Sequence, residues 1–410
     1  MLEWLETCRR LYNRCLGDLK DWLNSRKCSV DFCSLNREYI MSPDIPFPGY
    51  LEQKRQLTQW KKTNSWYQAV CAQVTQDVVK RLHTTWKFFQ ERKFGFPRFK
   101  KFGGYRSLLF PQFRDNPLRG NIIKLPKIGE VVINQHRPIP EGFKVKGVRI
   151  VSRARGTLWY AVVTIQFDAN IPDPVPFGRG IGIDVGLESF LVTSDNLRVE
   201  PAKFFRELQG RLKVLQRRVS RKNKRSKNWE KAQIKVARLH HQISNTRKNF
   251  HFQTSHDLCN QADMIFVEDI NFRMSARGFL GKHMLDGGFG QFRDLLSWVC
   301  WKRGKYFAQV AHRLTSQTCP ECNAHTGKKE LSERVHHCRE CGYRSSRDHA
   351  SARVILNRGL NNVVPVDSGE WKLSADKVAS SEVSSEACDD RCVLPGIAIS
   401  RQVQRRNANS

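Results

Sequence analysis

Four cysteines in the last quarter of the chain constrain its fold more than any other feature. They form two Cys-x-x-Cys pairs, Cys319 with Cys322 and Cys338 with Cys341, and fifteen residues separate the pairs. This spacing is typical of a structural zinc site, in which four thiolates surround one ion and leave no open coordination position. The pattern predicts a zinc ribbon over residues 313–346 whose metal stabilises structure and carries out no chemistry.

An acid only seven residues after the last cysteine is the first candidate for chemistry. Asp348 opens a predicted helix that starts at Arg347, with Ser345 or Ser346 as its N-cap. The helix dipole favours an acid in a first turn, so Asp348 taken alone also has a purely structural explanation. Its closeness to the cysteines predicts that the ribbon braces this acid and covers a cleft beside it.

Two further acids lie at the edges of predicted core elements. Asp184 belongs to the first strand of a predicted hairpin, and Glu268 ends a buried apolar strand. Each could be a simple turn or strand-end residue. Taken with Asp348, however, a hairpin start, flanking helices and acids from non-adjacent elements predict an RNase H-like fold with a two-metal site. Carboxylate oxygens suit Mg²⁺, and two ions about 4 Å apart can promote phosphodiester hydrolysis.

The charge of the chain indicates a polyanionic partner. Its 410 residues include 70 Lys and Arg against 39 Asp and Glu, which gives a formal net charge of +31. Nucleic acid is favoured over an anionic membrane surface, because no apolar run approaches the ~18 residues of a membrane span. The first residues lack the apolar core of a signal peptide, so we expect a cytoplasmic, nucleoid-associated protein.

Basic residues are concentrated in two places. Residues 206–248 hold fifteen Lys and Arg but two acids, and they predict two long helices joined by a basic turn. A solvated helix face is the alternative, although so one-sided a charge favours nucleic acid. Residues 95–102 alternate aromatic with basic side chains. The candidate nucleic-acid contacts are Arg98, Lys100, Lys101, Arg217, Arg218, Arg221, Lys222, Lys224 and Arg225.

The periodicity of the remaining chain predicts a multidomain α+β architecture. Apolar residues recur at helical spacing up to residue 94, and short runs of branched and aromatic residues then predict a small antiparallel β-barrel or curled sheet. The predicted order is a helical region at 1–94, the barrel at 95–170, an RNase H-like α/β nuclease domain at 171–312 and 347–360, the inserted ribbon at 313–346, and a disordered tail at 361–410.

The ordered set of motifs resembles the TnpB family of transposon-encoded, RNA-guided DNA endonucleases, which are related to type V CRISPR effectors. The similarity runs from about residue 60 to 360. Its motifs are Gly-Ile-Asp-Val-Gly-Leu at 182–187, Val-Glu-Asp-Ile-Asn at 267–271, Thr-Ser-Gln-Thr-Cys-Pro-Glu-Cys at 315–322 and the second cysteine pair through Asp348. They look like the three split RuvC motifs and the zinc ribbon of that family.

The resemblance implies roles that the motifs alone do not give. Asp184, Glu268 and Asp348 would hold Mg²⁺ and cut DNA, guided by an RNA from the transposon end. The helical recognition region and the wedge barrel would hold the RNA–DNA heteroduplex and read a short motif beside the double-stranded target. In such systems base pairing reads the sequence and the protein contacts the backbone.

Three departures from the family pattern stand out. The family opens with a basic strand that completes the wedge barrel, whereas this chain is helical from Met1. Ala350 stands where the family often has Asn, and Ser351 where it often has Ala; Asn323 replaces the usual Gly after the first cysteine pair. Two other functions stay open: a guided DNA-binding regulator that has lost cleavage, and a transposase that carries out strand transfer itself, since the same fold supports that chemistry.

Overall fold

The computed structural model has a mixed α/β architecture with several separate sheets. It describes residues 1–27, 44–92, 95–167, 172–202, 204–272, 281–330, 332–365 and 371–373. The described residues up to 167 form one compact unit, and those from 172 onward form a second. Within these ranges no helix combines the length and the apolarity that a membrane span requires.

Helices open the first unit, as the periodicity predicts. They are α1 (Leu2–Lys27), α2 (Tyr50–Thr63), α3 (Ser65–Ala69) and α4 (Ala72–Arg92). On α4 the residues Val74, Val78 and Leu82 recur every four positions and are all buried. They form one core with the buried face of α1, which includes Cys8 and Leu11. A stripe of this spacing faces one side of a helix, which explains why the two helices pack together.

The strands of the first unit do not close into a barrel. They are β1 (Ser107–Phe110), β2 (Leu118–Arg119), β3 (Ile122–Leu125), β4 (Gly129–Val132), β5 (Lys144–Arg153) and β6 (Leu158–Gln166). They form two antiparallel sheets, ordered β1-β5-β6 and β2-β3-β4. A barrel needs every strand bonded on both sides. Among the described residues β1 and β6 pair on one side only, so the predicted closed barrel is wrong.

A five-stranded sheet forms the centre of the second unit. Its strands are β7 (Gly180–Val185), β8 (Leu191–Thr193), β9 (Arg198–Val199), β10 (Met264–Glu268) and β11 (Tyr306–Val310), in the order β11-β10-β7-β8-β9. The pairs β7-β8 and β8-β9 are antiparallel, whereas β10 runs parallel to both β7 and β11. The predicted hairpin start is therefore present, with β7 at the centre of the sheet.

Helices cover both faces of this sheet. They are α5 (Phe204–Ser220), α6 (Lys227–Gln261), α7 (Gly281–Gly287), α8 (Phe289–Lys302) and α9 (Arg347–Leu360). Ile265 and Val267 of β10 pack in a cluster with residues of α6 and α8. Met264 and Phe266 alternate with them and pack in another cluster with Ile355 of α9. Parallel strands buried on both faces read as continuous apolar runs, as the run ending at Glu268 does.

Two short strand pairs complete the second unit. The pair β12 (Val335–His337) and β13 (Arg344–Ser346) forms a hairpin that leads directly into α9. The pair β14 (Val363–Pro365) and β15 (Trp371–Leu373) is also antiparallel. The prediction of disorder from residue 361 is therefore wrong for these strands, because Val363 is buried against the core that contains Phe266. Residues 374–410 of that tail lie outside the described residues.

Glycine lets α9 approach the central strand β7 closely. A Cβ atom added at Gly182 would overlap the carbonyl oxygen of Ala352 and lie 2.5 Å from the backbone nitrogen of Leu356. Both neighbours are helix backbone, which cannot move aside as the end of a flexible side chain can. The distance between α9 and the sheet therefore depends on the absence of a side chain at this position.

We predict that Gly182→Ala destabilises the second unit by about 3 kcal/mol, the upper end of the range for overpacked cores. Thermal denaturation of purified protein measures the change. Gly210→Ala is the matched control, because nothing lies within 4 Å of the added methyl group on α5, and alanine favours the helix. Equal melting temperatures for the two variants would show that α9 is not held close by this contact.

Candidate active site and metal centre

Two of the predicted acids lie side by side at the ends of adjacent parallel strands. The register pairs Ile183 of β7 with Val267 of β10, so Asp184 and Glu268 are the next residues on strands about 4.8 Å apart. Side chains alternate along a strand. Glu268 therefore lies on the same face as Phe266, and Asp184 on the same face as Gly182. That is the face covered by α9.

The third acid, Asp348, stands in the first turn of α9, where several hydrogen bonds fix the helix start. The backbone N–H of His349 donates to the Ser346 hydroxyl at 3.4 Å, which caps the helix. The His349 imidazole donates from Nε2 to the Ser194 carbonyl oxygen at 2.9 Å and accepts from the Ser345 hydroxyl at 2.7 Å. Since Ser194 directly follows β8, the start of α9 is tied to the strand next to β7.

Burial and neighbouring charges shift the pKa values of Asp184 and Glu268. Desolvation raises the pKa of Asp184 well above its ordinary value, and the charges of Glu268 and Asp348 raise it further, against the opposing charge of Arg347. Burial also raises the pKa of Glu268, and a hydrogen bond from the Thr315 hydroxyl opposes that rise. Like charges this close disfavour one another's ionised forms. The arrangement is therefore one that bound cations would stabilise.

The four cysteines form a compact cluster, as their spacing predicts. Their sulfur atoms all lie within 4.8 Å of one another. The Cys319 and Cys341 sulfurs are 3.6 Å apart, and those of Cys322 and Cys338 are 3.5 Å apart. A tetrahedron of thiolates around an ion with bonds of ~2.3 Å has edges of about 3.8 Å. The cluster therefore suits one metal ion in closed coordination.

The carboxylates are arranged differently from the thiols. In the part of the chain that the structure describes, the four cysteine sulfur atoms lie close enough together to bind one metal ion. The carboxylate oxygens of the three acids are not grouped so closely. Carboxylate oxygens suit hard cations such as Mg²⁺, whereas thiolates suit zinc. The two sites are thus distinct in donor type and in geometry.

Hydrogen bonds tie the ribbon to the helix that carries Asp348. The Arg353 guanidinium donates to the Glu321 carboxylate at 2.6 Å, and the Asn357 amide donates to the Pro320 carbonyl oxygen at 2.7 Å. At the start of the helix, the backbone N–H of Arg347 donates to a ribbon carbonyl oxygen at 2.8 Å. These hydrogen bonds span α9 from its first residue to its third turn.

Two family models match the parts of the chain that carry these sites. OrfB_IS605, described as "Probable transposase", matches residues 163–277, which include Asp184 and Glu268. The model of the Cas12f1-like TNB domain matches residues 289–355, which include the four cysteines and Asp348.

Curated relatives match most of the chain. "Putative RNA-guided DNA endonuclease InsQ" of Escherichia coli K12 is 32% identical over 323 residues, which cover 74% of this chain and 79% of that protein. "Putative RNA-guided DNA endonuclease" of Streptomyces pristinaespiralis is 30% identical over 317 residues, which cover 76% of this chain and 78% of that protein. This chain belongs to the TnpB family. A protein chain of a solved Cas12f1–sgRNA–target DNA complex aligns with 87% of this chain and 93% of its own length, at 13% identity and a TM-score of 0.34. This TM-score is too low to bear on the fold.

The structure explains one departure of this TnpB-family chain from the family pattern. Asn323, which replaces the usual Gly after the first cysteine pair, has a φ of 58°. Gly342 occupies the equivalent position after the second pair with a φ of 74°. Asn is among the side-chain-bearing residues that most readily adopt this left-handed conformation. The first cysteine loop therefore keeps the shape of the second without a glycine.

A basic cleft lies between α5 and α6 near the turn that joins them. It has a volume of about 300 Å³. Its lining residues are Leu215, Arg218, Lys222, Asn228, Lys231, Ala232 and Lys235. Sequence reasoning on this TnpB-family chain proposed Arg218 and Lys222 but missed Lys231 and Lys235. The sequence feature that could have identified these two lysines is their four-residue spacing, which places them on one face of α6.

The remaining proposed nucleic-acid residues occupy two settings. Arg217 lies near the end of α5, and Arg221, Lys224 and Arg225 lie in the exposed turn before α6. Arg98, Lys100 and Lys101 belong to the first unit, in an exposed segment between α4 and β1. The structure therefore divides the nine sequence-predicted cations of this TnpB-family chain between the two units.

We predict that Cys322→Ser removes the metal from the ribbon and lowers the melting temperature of the protein. A hydroxyl is a far weaker ligand than a thiolate, and the folding of such loops depends on metal binding. Elemental analysis of purified protein gives the metal content. Cys259→Ala serves as the control, since this buried cysteine lies outside the cluster. Unchanged metal content in Cys322→Ser would contradict the assignment of the ligands.

Proposed function

We propose that this chain is a transposon-associated, RNA-guided DNA endonuclease that cuts its target by Mg²⁺-dependent phosphodiester hydrolysis next to a short adjacent motif. The observation that carries the proposal is the arrangement of Asp184, Glu268 and Asp348. They come from two adjacent parallel strands and from the helix that covers them, and the latter two acids raise the pKa of the first. The names of the two relatives support the guided activity.

The three carboxylates fit Mg²⁺ by their chemistry. Mg²⁺ prefers oxygen ligands and is usually held by one or two carboxylates with water and substrate phosphate completing its shell. Their mutual destabilisation as anions is relieved when cations bind among them. Two such ions would supply the Lewis acidity that makes a water nucleophilic and stabilises the departing 3′ oxygen. The products would be a 3′-hydroxyl and a 5′-phosphate.

The protein's own residues position this chemistry. Asp184 lies at the centre, since both other acids act on it. The Thr315 hydroxyl lowers the pKa of Glu268, and it donates to the His312 carbonyl oxygen at 3.4 Å. His349 fixes the start of α9 on the strand next to β7, so the Asp348 backbone has little freedom. The positive charge of Arg347 beside Asp184 moderates the repulsion among the three acids.

Zinc is the proposed occupant of the cysteine cluster, and its role is structural. Four thiolates in two Cys-x-x-Cys loops are a typical zinc ligand set and leave no position for substrate. The bonds from the ribbon to Arg353 and Asn357 then brace the helix that carries Asp348. Mg²⁺ would serve the reaction, and zinc would hold one of the three acids in place.

RNA from the transposon end and double-stranded DNA are the proposed partners. The net charge of +31 lets the protein neutralise many phosphates of a nucleic-acid partner. The helices and sheets up to residue 167 serve as the recognition and wedge regions, which contact the RNA–DNA heteroduplex and read the adjacent motif. The exposed cations of α5, α6 and their turn contact phosphates, because they outnumber nearby acids and form a cleft.

We predict that Asp184→Asn lowers target cleavage by at least about 1,000-fold, equal to ~4 kcal/mol of transition-state stabilisation. Amide replacement removes a charge that the cations need and leaves the fold intact. The measurement is cleavage of a plasmid with a matching target, using protein co-expressed with transposon-end RNA. Asp195→Asn is the control, because this exposed acid pairs with Arg179 on the surface. The control variant is expected to cleave the target as the unmodified protein does.

Other outcomes of this assay identify the alternative functions. Guide-dependent target binding without cleavage by the unmodified protein would indicate a DNA-binding regulator. Joining of DNA ends in the absence of a guide would indicate a transposase. Full cleavage by Asp184→Asn would remove this acid from the proposed site.

We also predict that the double change Lys231→Ala, Lys235→Ala weakens nucleic-acid binding equally for all sequences. Removing one cation that binds a phosphate lowers the slope of log K against log salt concentration by about 1. Affinity measured over a salt series gives that slope. The double change Arg211→Ala, Lys213→Ala is the matched control, because it removes two exposed cations of α5 outside the cleft. Identical slopes for both variants would exclude a phosphate site in the cleft.

A further inference from the structure

A ten-residue segment of the first unit, which we name the aromatic loop (residues 95–104), joins α4 to the strand β1. One end of this loop is anchored in the core. The Phe96 ring packs edge-to-face on Trp86 at 5.5 Å and on Phe89 at 5.2 Å between ring centroids. Pro97 is buried beside it. The loop therefore starts from a fixed point and is not a free connection.

The next two aromatic residues of the loop point to solvent instead. Phe99 is 50% exposed and Phe102 is 76% exposed. Burying a phenylalanine side chain fully stabilises a protein by roughly 1.5–3 kcal/mol, and neither ring gains that stabilisation fully within the first unit. Two large aromatic rings within four residues therefore present apolar surface to solvent.

A set of hydrogen bonds from α1 holds the loop between these two rings. The backbone N–H of Lys100 donates to the Asn13 side-chain oxygen at 2.8 Å, and its carbonyl oxygen accepts from the Asn13 amide at 3.0 Å. The Arg9 guanidinium donates to the same carbonyl oxygen at 3.1 Å. On α1, Lys20 also places its ammonium 4.4 Å from the centroid of the Phe99 ring. The exposed rings are thus held on a rigid backbone.

A tight turn places Phe102 at the tip of the loop. The N–H of Gly104 donates to the Lys101 carbonyl oxygen at 2.8 Å, and Gly103 has a φ of 67°. A Cβ atom at Gly104 would lie 2.8 Å from that same carbonyl oxygen. Both glycines are needed for this turn, which leaves Phe102 as its outermost side chain.

The charges around the two rings define the partner. Arg98, Lys100 and Lys101 flank them and are exposed, and residues 95–104 contain no acid. A partner that offers a flat apolar face together with negative charge is an unpaired nucleotide, since stacking on an aromatic ring stabilises each base by about 1–3 kcal/mol. In a duplex the base faces are covered by neighbouring pairs. We propose that the aromatic loop is a stacking platform for unpaired nucleotides, with Phe99 and Phe102 contacting bases and the cations contacting phosphates.

This inference deepens the proposed function, because it rests on nucleic-acid binding, but it does not depend on cleavage. The test uses the full chain with Asp184→Asn, so that nothing is cut. Fluorescence anisotropy measures binding of single-stranded RNA, single-stranded DNA and duplex DNA, each of about 12 nucleotides or base pairs, within the range of known single-strand sites. The RNA and DNA arms identify which strand supplies the unpaired bases.

We expect Phe102→Ala to weaken binding of the preferred single strand about 10-fold, and duplex binding less than about 2-fold, from the loss of one stacked base. Phe102→Trp keeps a stacking ring and is expected to bind as the parent does. Phe102→Leu keeps apolar area without a π-face and is expected to behave like alanine. Leu51→Ala is the matched control, since this α2 side chain is 68% exposed and lies outside the loop.

Several results would overturn the proposal. Unchanged single-strand affinity in Phe102→Ala would do so. Parent-like affinity in Phe102→Leu would also do so, because it would show that apolar area is enough and that stacking is not required. An equal loss for duplex and single strand would also do so. All variants are exposed and are expected to keep the parent's melting temperature. If the parent protein binds no nucleic acid, the proposed function fails together with this inference. If the parent binds and the Phe102 variants bind single strands with the same affinity, only this inference fails.

Discussion

The close contact between α9 and the central strand β7 is the constraint on which the candidate active site depends. Gly182 lies two residues before Asp184, and the backbone of α9 occupies the volume that a side chain there would fill. The helix start, with Asp348, is consequently brought toward the strand ends that carry Asp184 and Glu268. A side chain at position 182 would push the helix outward and move Asp348 away from Asp184.

The ribbon extends this constraint. It lies between β11 and α9 in the chain, so its two ends connect a strand of the sheet to the helix that covers the sheet. Thr315 near its beginning lowers the pKa of Glu268, and Arg347 directly after its end lowers the pKa of Asp184. The ion pair between Arg353 and Glu321 is partly exposed and contributes little stability by itself. The cysteine cluster, which could hold a metal ion, would then be the stronger fixed point for this part of the chain.

Sequence reasoning predicts local elements well and their pairing poorly. The strand that ends at Glu268, the helix that starts at Arg347 and the cysteine cluster are confirmed, because apolar runs, capping residues and ligand spacing are local properties. The predicted barrel is wrong, since periodicity identifies strands but not which of them pair. The cleft residues Lys231 and Lys235 were missed for a similar reason: a cleft exists only once α5 and α6 are placed side by side. The roles of the three acids remain predictions, although alternation and register place Asp184 and Glu268 on the face of the sheet that α9 covers.

The hydrogen bond between His349 and Ser194 joins residues 155 positions apart, which has a consequence for synthesis. Contacts of such high sequence separation form late, because a long loop must close before they contribute. During translation the basic helices α5 and α6 leave the ribosome long before the ribbon and α9 do. On the proposed function, a nascent chain would carry the basic cleft before it carries all three acids, and a prematurely terminated chain would bind nucleic acid without cutting it.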